Sequence, residues 1–306
     1  MINRRSEKEA RITKRSLTIF LVALLIFALV NLLELSDLFP SNEAANIHTR
    51  GQYVEVHFID VGQGDSIYIK TPAQDILIDG GDRGSAALDY LLSQNVKDLE
   101  LVIGTHPHAD HIGGLIEVLE TIPVREVMDP GVVHTSKTFE DYLVLIDEKD
   151  IDFTAARAGM KRTFEDGTVL EILSPDSPSE DDLNNASIVA RLTYGKVSFL
   201  FTGDAEIPSE NAMLDAMSPL RSTILKAGHH GSSTSTVDAF LEAVSPEAVV
   251  IMCGADNSYG HPHREVLEKL EDADIKVFRT DIHGTIIVST DGKSYGISYD
   301  KSVEPN

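Results

Sequence analysis

The sequence predicts an α/β protein in which helices cover the outer sides of two β-sheets. Three observations support this fold class. Short runs rich in β-branched and aromatic residues dominate after residue 51, amphipathic segments are inserted between them, and glycine or proline turns separate neighbouring runs. The composition, 42% hydrophobic and 25% charged in 306 residues, is ordinary for a globular protein and excludes a disordered or fibrous chain.

The first half of this region combines tightly connected strands with amphipathic helices. Glycine or proline turns follow the first two strands. Apolar residues recur at helical spacing between residues 85 and 94, and the apolar run from 99 to 105 predicts a buried strand. The predicted strands are Tyr53–Asp60, Ser66–Thr71, Asp75–Asp79 and Leu99–Thr105, and the predicted helices are Ser85–Gln94, Ile112–Glu120 and Thr138–Lys149.

The second half continues the alternation of strands and helices. Gly195–Lys196 separates two strand-like runs, which predicts a β-hairpin. The uninterrupted apolar run at 248–252 predicts another buried strand. The predicted strands are Thr168–Leu173, Ser187–Tyr194, Val197–Thr202, Ile224–Lys226, Ala248–Met252, Val277–Thr280, Gly284–Ser289 and Ser294–Tyr299, and the predicted helices are Val237–Ala243 and His263–Ala273.

The N-terminal 51 residues differ in composition from the rest. The run Leu17–Leu33 is uncharged with only two polar residues, which is long enough to span a membrane, and six cations precede it. Because such cations stay in the cytoplasm, we expect a basic cytoplasmic segment (1–16), a single transmembrane helix (17–35), a linker (36–51) and an extracellular domain (52–306). The alternative is a signal peptide cleaved near Glu43–Ala45, which would release the domain as a secreted protein.

Charge and cysteine content limit the classes of function. The net charge is −23, and most of the acidic residues follow the N-terminal segment, so the domain is not a general polyanion-binding module. The single cysteine, Cys253, excludes an intrachain disulfide framework and a multi-cysteine zinc site.

Four candidate metal ligands directly follow the strand Leu99–Thr105. They are His106, His108, Asp110 and His111, in the pattern H-x-H-x-D-H. His106 and His108 are two residues apart, so in an extended segment their side chains point the same way. Imidazole together with carboxylate suits Zn, Mn or Fe. The pattern therefore predicts a metal site at the end of a buried strand.

This pattern resembles the signature of the metallo-β-lactamase-fold hydrolases. The stretches Phe58–Ser66 (FIDVGQGDS) and Leu77–Gly81 (LIDGG) are similar to the subgroup that contains the extracellular domain of the ComEC/Rec2 competence proteins, and choline-phosphate esterases look similar. The resemblance covers residues 53 to 299. It implies an αββα four-layer sandwich that holds two divalent metal ions, Zn or Mn, at one edge.

The resemblance also implies which residues bind the ions and perform the chemistry. The expected ligands are His106, His108 and His229 for the first ion, Asp110, His111 and His261 for the second, and Asp204 for both. Asp110 and His230 are the expected catalytic residues, and His230 would donate a proton to the leaving group. The spacing alone leaves open which of His229 and His230 is the ligand.

Further residues are expected to support the ligands or bind the substrate. Asp60 and Asp79 would hydrogen-bond the ligating histidines or hold their loops. Asn185 lies in a stretch where many members of the wider fold have a histidine ligand, and we expect it beside the ligands. The missing histidine makes Mn an alternative to Zn. Lys226 and Ser232 are expected to contact a substrate phosphate.

The expected activity is hydrolysis of a phosphodiester, and resemblance to the competence proteins makes DNA the expected substrate. The predicted protein is a membrane-anchored extracellular DNA nuclease. The alternatives are a phosphodiesterase acting on a cell-wall polymer and a hydrolase of amide, thioester or lactone bonds, because a fold does not fix the substrate. A non-catalytic, metal-stabilised receptor for DNA or polymer is the alternative from another class. The oligomeric state stays open.

Overall fold

Residues 53–301 are described by a computed structural model, in which two β-sheets pack face to face and helices cover both outer sides. The predicted αββα class is therefore confirmed for this part of the chain. The expected basic segment (1–16), transmembrane anchor (17–35) and linker (36–51) lie outside the described residues, as do residues 52 and 302–306. Within residues 53–301, no helix has the length and apolar character that a membrane span requires.

Strands and helices alternate along the described residues. The strands are β1 (Val54–Phe58), β2 (Ile67–Lys70), β3 (Asp75–Ile78), β4 (Leu101–Ile103), β5 (Glu126–Asp129), β6 (Asp152–Ala155), β7 (Lys161–Thr163), β8 (Val169–Ser174), β9 (Val189–Tyr194), β10 (Val197–Phe201), β11 (Ile224–Lys226), β12 (Ala248–Ile251), β13 (Lys276–Arg279), β14 (Ile286–Thr290) and β15 (Tyr295–Tyr299). The α-helices are α1 (Ala86–Ser93), α2 (Ala109–Ile112), α3 (Leu115–Thr121), α4 (Lys137–Glu148), α5 (Ile207–Asp215), α6 (Asp238–Val244), α7 (Arg264–Asp272) and α8 (Thr280–His283).

Each sheet contains both parallel and antiparallel strand pairs. The first has the strand order β15-β14-β1-β2-β3-β4-β5-β6, and the second has the order β13-β12-β11-β10-β9-β8-β7. Neighbours are parallel from β3 to β6 and from β10 to β13, and the other pairs are antiparallel. Parallel strands end at the same edge of a sheet, so the loops after β3, β4, β10, β11 and β12 gather there.

Alternation along the strands sorts side chains between a central and an outer core. In β10, Phe199 and Phe201 contribute to the central core between the sheets, whereas Leu200 packs with the outer helices. In β3, Ile76 lies in the central core and Leu77 lies under the helices of the other side. Because both faces of these strands are covered, their sequences are continuous apolar runs.

The structure contains strands β5, β6 and β7 and helices α5 and α8 that the sequence pattern did not predict. β6 and β7 are the edge strands of their sheets, and most of their side chains are exposed. Such strands carry no apolar alternation from which to predict them. α5 shows little helical periodicity, and α8 is a single turn after β13.

Candidate metal centre

The histidine cluster occupies the loop after β4 and the first turn of α2. His106 and His111 are fully buried, whereas His108 is half-buried and lines an open cavity. Nε2 of His106 lies 2.9 Å from Nδ1 of His108. The two nitrogens are therefore directed at the same place.

Asp204 lies at the centre of the site, in the loop after β10. Its Oδ2 is 3.3 Å from Nε2 of His111 and 3.8 Å from Nε2 of His106, and its Oδ1 is 3.4 Å from Nε2 of His230. The backbone N–H of Asp204 donates to the Ser187 hydroxyl at 3.1 Å, which fixes the carboxylate in place. One carboxylate thus faces histidines from both sheets.

Four side chains converge closely enough to share one cation. The ligand atoms of Asp110, His111, Asp204 and His230 all lie within 4.8 Å of one another. Nε2 of His111, Nε2 of His230 and Oδ1 of Asp204 are buried and lie at ion-pair distances of 3.3–3.4 Å from neighbouring groups, but none of the three forms a hydrogen bond with a described residue. Buried polar atoms are nearly always paired, so these atoms fit a site that binds a cation.

The other ring nitrogens of these histidines are held by acceptors. Nδ1 of His111 donates to Asp79 at 2.9 Å, and Nδ1 of His230 donates to the carbonyl of Met252 at 2.9 Å. Asp79 also accepts the backbone N–H and the hydroxyl of Thr105, both at 2.7 Å. These bonds leave Nε2 of each histidine as the ligand atom. The contacts of Asp79 match the supporting role predicted for it.

A second group of acidic side chains, next to the four described above, contains Asp65, which is paired with a buried lysine. Ligand atoms of Asp65, Asp79 and His111 also lie within 4.8 Å of one another. Lys226 forms an ion pair with Asp65 and donates to the carbonyl of Gly203 at 2.9 Å. Its side chain has no exposed surface, so Lys226 cannot contact a substrate, contrary to the expectation from sequence.

The loop between β1 and β2 packs against the histidine motif through a glycine. Gly64 has a φ of +120°, and a Cβ atom at this position would lie 2.1 Å from the carbonyl oxygen of Asp110. The backbone N–H of Asp65 donates to that same oxygen at 3.2 Å. Only glycine permits this approach, which places Asp65 beneath the site.

Ser232 and Asp60 also differ from what the sequence suggested. Ser232 is buried, and its hydroxyl lies 2.9 Å from that of Thr234, so it is not available to a substrate. Asp60 accepts the backbone N–H of Gly62 and pairs with Lys301 at 2.9 Å. These two contacts, both made within residues 53–301, stabilise a loop and involve no histidine.

His229 and His230 face different partners although they are adjacent. Both have left-handed backbone conformations, with φ of 46° and 54°. Nδ1 of His229 donates to Glu206 at 2.9 Å, while its Nε2 lies 3.7 Å from Oδ2 of Asp204. Asn185 holds Glu206 by accepting its backbone N–H at 3.1 Å. The structure thus brings His230 into the group of four and places His229 beside it.

A cavity of about 360 Å³ opens at Asp204. His261 lies at its edge, with its ring centroid 5.3 Å from that of His229 and 6.1 Å from that of His230. Its Nδ1 is buried without a hydrogen-bond partner in the described chain. The cavity is lined by Gln63, His108, Ala109, Asp110, Asn184, Asp204, His229, His230, Tyr259 and His261.

The centre is an environment that stabilises positive charge. Burial alone would lower the pKa values of His111 and His230, but Asp204 and the other nearby carboxylates raise both well above the usual range. Burial alone would raise the pKa of Asp204, but His111 and His230 hold it well below the usual range. Burial lowers the pKa of His106, and burial with the neighbouring histidines lowers that of His261 to about 4. The neutral imidazole that binds a metal is therefore favoured at His106 and His261, whereas the carboxylates around His111 and His230 favour a cation at those two positions.

Sequence reasoning missed three residues that hold the centre together. Thr105 binds Asp79, Ser187 lies 3.3 Å from Nδ1 of His106, and Glu206 binds His229. Ser187 and Glu206 come from other loops than the residues they contact, so no spacing in the sequence links them. The position of Thr105 directly before the H-x-H motif was the one available signal.

Comparisons with known proteins agree with this architecture. The sequence profile of the metallo-beta-lactamase superfamily matches residues 59–255 of this chain. ComE operon protein 3 of Bacillus subtilis (strain 168) is 31% identical over 252 residues, which cover 76% of this chain and 32% of that protein. Competence protein ComA of Neisseria gonorrhoeae is 31% identical over 251 residues, which cover 81% of this chain and 32% of that protein. The chain therefore spans about a third of the length of these relatives.

A solved structure shares the fold at low sequence identity. Igni18, described as a novel metallo hydrolase from the archaeon Ignicoccus hospitalis KIN4/I, superposes with a TM-score of 0.52 at 19% identity, over 77% of this chain and 98% of that one. The predicted resemblance to the competence proteins is confirmed by the curated relatives. Because the family profile matches residues 59–255, more than half of the sequence, this chain belongs to the metallo-beta-lactamase superfamily.

Proposed function

We propose that this protein is a metal-dependent phosphodiesterase that cleaves DNA outside the cell. The observation that carries the proposal is the set of buried ligand atoms, without hydrogen bonds, that converge on Asp204 beside an open cavity. In a purely structural cluster, buried polar atoms of this kind are normally hydrogen-bonded to one another. An open position next to fixed ligands is what a catalytic metal site needs.

Two partly separate ligand sets support two ions, which we propose to be Zn or Mn. His106 and His108 with Asp204 form the first set, and Asp110, His111 and His230 with Asp204 form the second. His261, at the edge of the cavity, stays a predicted ligand. Bound divalent ions supply a water of lowered pKa and neutralise the charge that develops on a phosphoryl group.

The protein's own residues orient these groups and handle the leaving group. Asp79 and the carbonyl of Met252 fix the tautomers of His111 and His230. His229 lines the cavity with Nε2 while Glu206 binds its Nδ1. We therefore exchange the two expected roles: His230 is a ligand, and His229, protonated on both nitrogens, donates its Nε2 proton to the departing oxygen of the cleaved ester.

The choice of DNA rests on the relatives and is a proposal for this chain. Two proteins with 31% identity are named for competence or for the ComE operon, and a third, from Haemophilus influenzae, is called Recombination protein 2. Each of these names suits a protein that acts on DNA. A cell-wall polymer esterase and a non-catalytic receptor are the competing functions.

The decisive experiment compares Asp204→Asn with the exposed control Asp147→Asn in the purified full-length chain. With Mn or Zn added, we expect the wild type and the control to cleave DNA, and Asp204→Asn to lose activity by about a hundredfold or more. Cleavage of a small phosphodiester without cleavage of DNA would shift the proposal to a cell-wall polymer. No turnover with either metal would contradict the enzyme proposal and favour the receptor.

We also propose that residues 17–35 anchor the protein and that residues 52–306 face the outside of the cell. The support is the uncharged run after six cations. Protease added to intact cells should remove a C-terminal tag from the cell-bound protein. Recovery of the tagged domain in the medium would instead indicate signal cleavage, and full protection from the protease would contradict the proposal.

A further inference from the structure

Tyr259 is an exposed aromatic residue at the mouth of the catalytic cavity. It lines the cavity together with His229 and His261, and 63% of its surface is exposed. Its ring lies nearly parallel to that of His261, with centroids 5.7 Å apart and an interplanar angle of 19°. One face of the phenol is thus supported by the site itself, while most of the side chain is open to solvent.

Hydrogen bonds from the side chain of Asn257 fix the backbone of the loop that carries Tyr259. Oδ1 of Asn257 accepts the backbone N–H groups of Tyr259 and His261 at 3.2 and 3.0 Å. Nδ2 of the same side chain donates to the carbonyls of Gly254 and His261 at 2.8 and 2.6 Å. One amide side chain therefore fixes both ends of the segment between the two rings.

Apart from the proposed metal centre, the lining of the cavity within residues 53–301 offers no cationic side chain to a nucleic acid. None of the lining residues in this range is a lysine or an arginine, and Lys226 of β11 is buried and paired with Asp65. Nucleic-acid affinity that comes from phosphate contacts requires such cations. Proteins that bind single strands without sequence preference also use aromatic side chains, on which the bases stack.

We infer that Tyr259 is a stacking platform that selects single-stranded DNA by binding an unpaired base next to the scissile phosphate. The inference rests on the proposed function and adds the strand state of the substrate. The bases of a duplex are stacked on one another and cannot reach the phenol, whereas those of a single strand can. The ring of His261 lies between Tyr259 and His229 and meets the ring of His229 edge-on, with centroids 5.3 Å apart and an interplanar angle of 71°.

The test measures binding, so that it does not depend on turnover. Fluorescence anisotropy would compare a short oligothymidylate with an abasic chain of the same length, using the full-length protein in chelator at low salt. We expect the wild type to bind the oligothymidylate about tenfold more tightly than the abasic chain. Tyr259→Ala should abolish that difference, and Tyr259→Phe should keep it. Phe153→Ala removes a distant exposed ring and serves as the control.

Equal binding of the two chains by the wild type, or absence of binding to both, would overturn the inference. A difference that survives in Tyr259→Ala would overturn it as well. Binding of the abasic chain that depends on Tyr259 would mean that the ring stacks on sugars, which points to a cell-wall polymer. Because cleavage is measured separately with Asp204→Asn, failure of the stacking inference and failure of the nuclease proposal are distinguishable.

Discussion

His229 and His230 are adjacent in one motif, but their side chains contact different groups. Left-handed backbone at both positions turns the first ring towards Glu206 and the second towards Asp204 and Asp110. Such conformations are costly and persist only where the surroundings impose them. The two rings therefore contact different partners although the residues are neighbours in the sequence.

This division predicts opposite defects for the two histidines. His230→Asn should lower the amount of metal bound per chain, because it removes a ligand from the group of four. His229→Asn should retain its metal and lose turnover by about 10²- to 10⁴-fold, the usual contribution of a general acid. Metal content by mass spectrometry and kcat on the same preparations would check this. Loss of metal in His229→Asn alone would reverse the assignment.

At the level of elements, the pair Lys226–Asp65 ties β11 to the loop between β1 and β2. Both side chains are buried, so Lys226→Met should leave an uncompensated carboxylate and destabilise the fold by about 3–5 kcal/mol. The control is Lys161→Met, whose exposed side chain pairs with Glu171 on the edge strand β7 and whose loss should cost below about 1 kcal/mol. Urea unfolding would measure both. Equal stability of the two variants would contradict the prediction.

Glu210 joins α5 to the start of α6 and makes stability depend on pH. It accepts the backbone N–H groups of Thr236 and Val237, but burial outweighs these bonds and raises its pKa to about 7. Since the folded-state pKa lies above the unfolded value of 4.5, its contribution is fully present below about pH 4.5 and is lost as the pH rises through 7. Glu210→Gln should reduce the fall in unfolding free energy between pH 5 and 8, roughly the span of that titration. An unchanged fall would exclude Glu210 as its source.

The elements also show what the sequence could predict. Strands covered on both faces, such as β4 and β10, are continuous apolar runs, and their prediction is confirmed. The edge strands β6 and β7 were missed because solvent, not packing, surrounds them. Likewise the H-x-H-x-D-H motif was visible as a local pattern, while the contact of Glu206 with His229 depends on how two loops approach in space.

For the whole molecule, metal binding should contribute to stability, because the candidate ligands come from both sheets. An ion present at a concentration about a hundredfold above its Kd raises the free energy of unfolding by about 2.7 kcal/mol. In a domain of this size that corresponds to a rise in Tm of roughly 5–10 °C. Differential scanning fluorimetry with chelator and with Mn or Zn would measure the shift. We expect little or no shift in Asp204→Asn, and a shift of wild-type size in that variant would refute the role of Asp204.

The placement of the centre at the seam between the sheets has a mechanical consequence. His106, Asp110 and His111 follow β4 of one sheet, while Asp204 and His230 follow β10 and β11 of the other. A slide of one sheet over the other would change the distances between these groups directly. The tightly packed central layer of phenylalanine, isoleucine and valine side chains fixes the position of one sheet relative to the other. It therefore also fixes the distances between the candidate ligands. A substitution that enlarges or shortens a core side chain far from the cavity should therefore weaken metal binding at a degree of destabilisation that still leaves the protein folded.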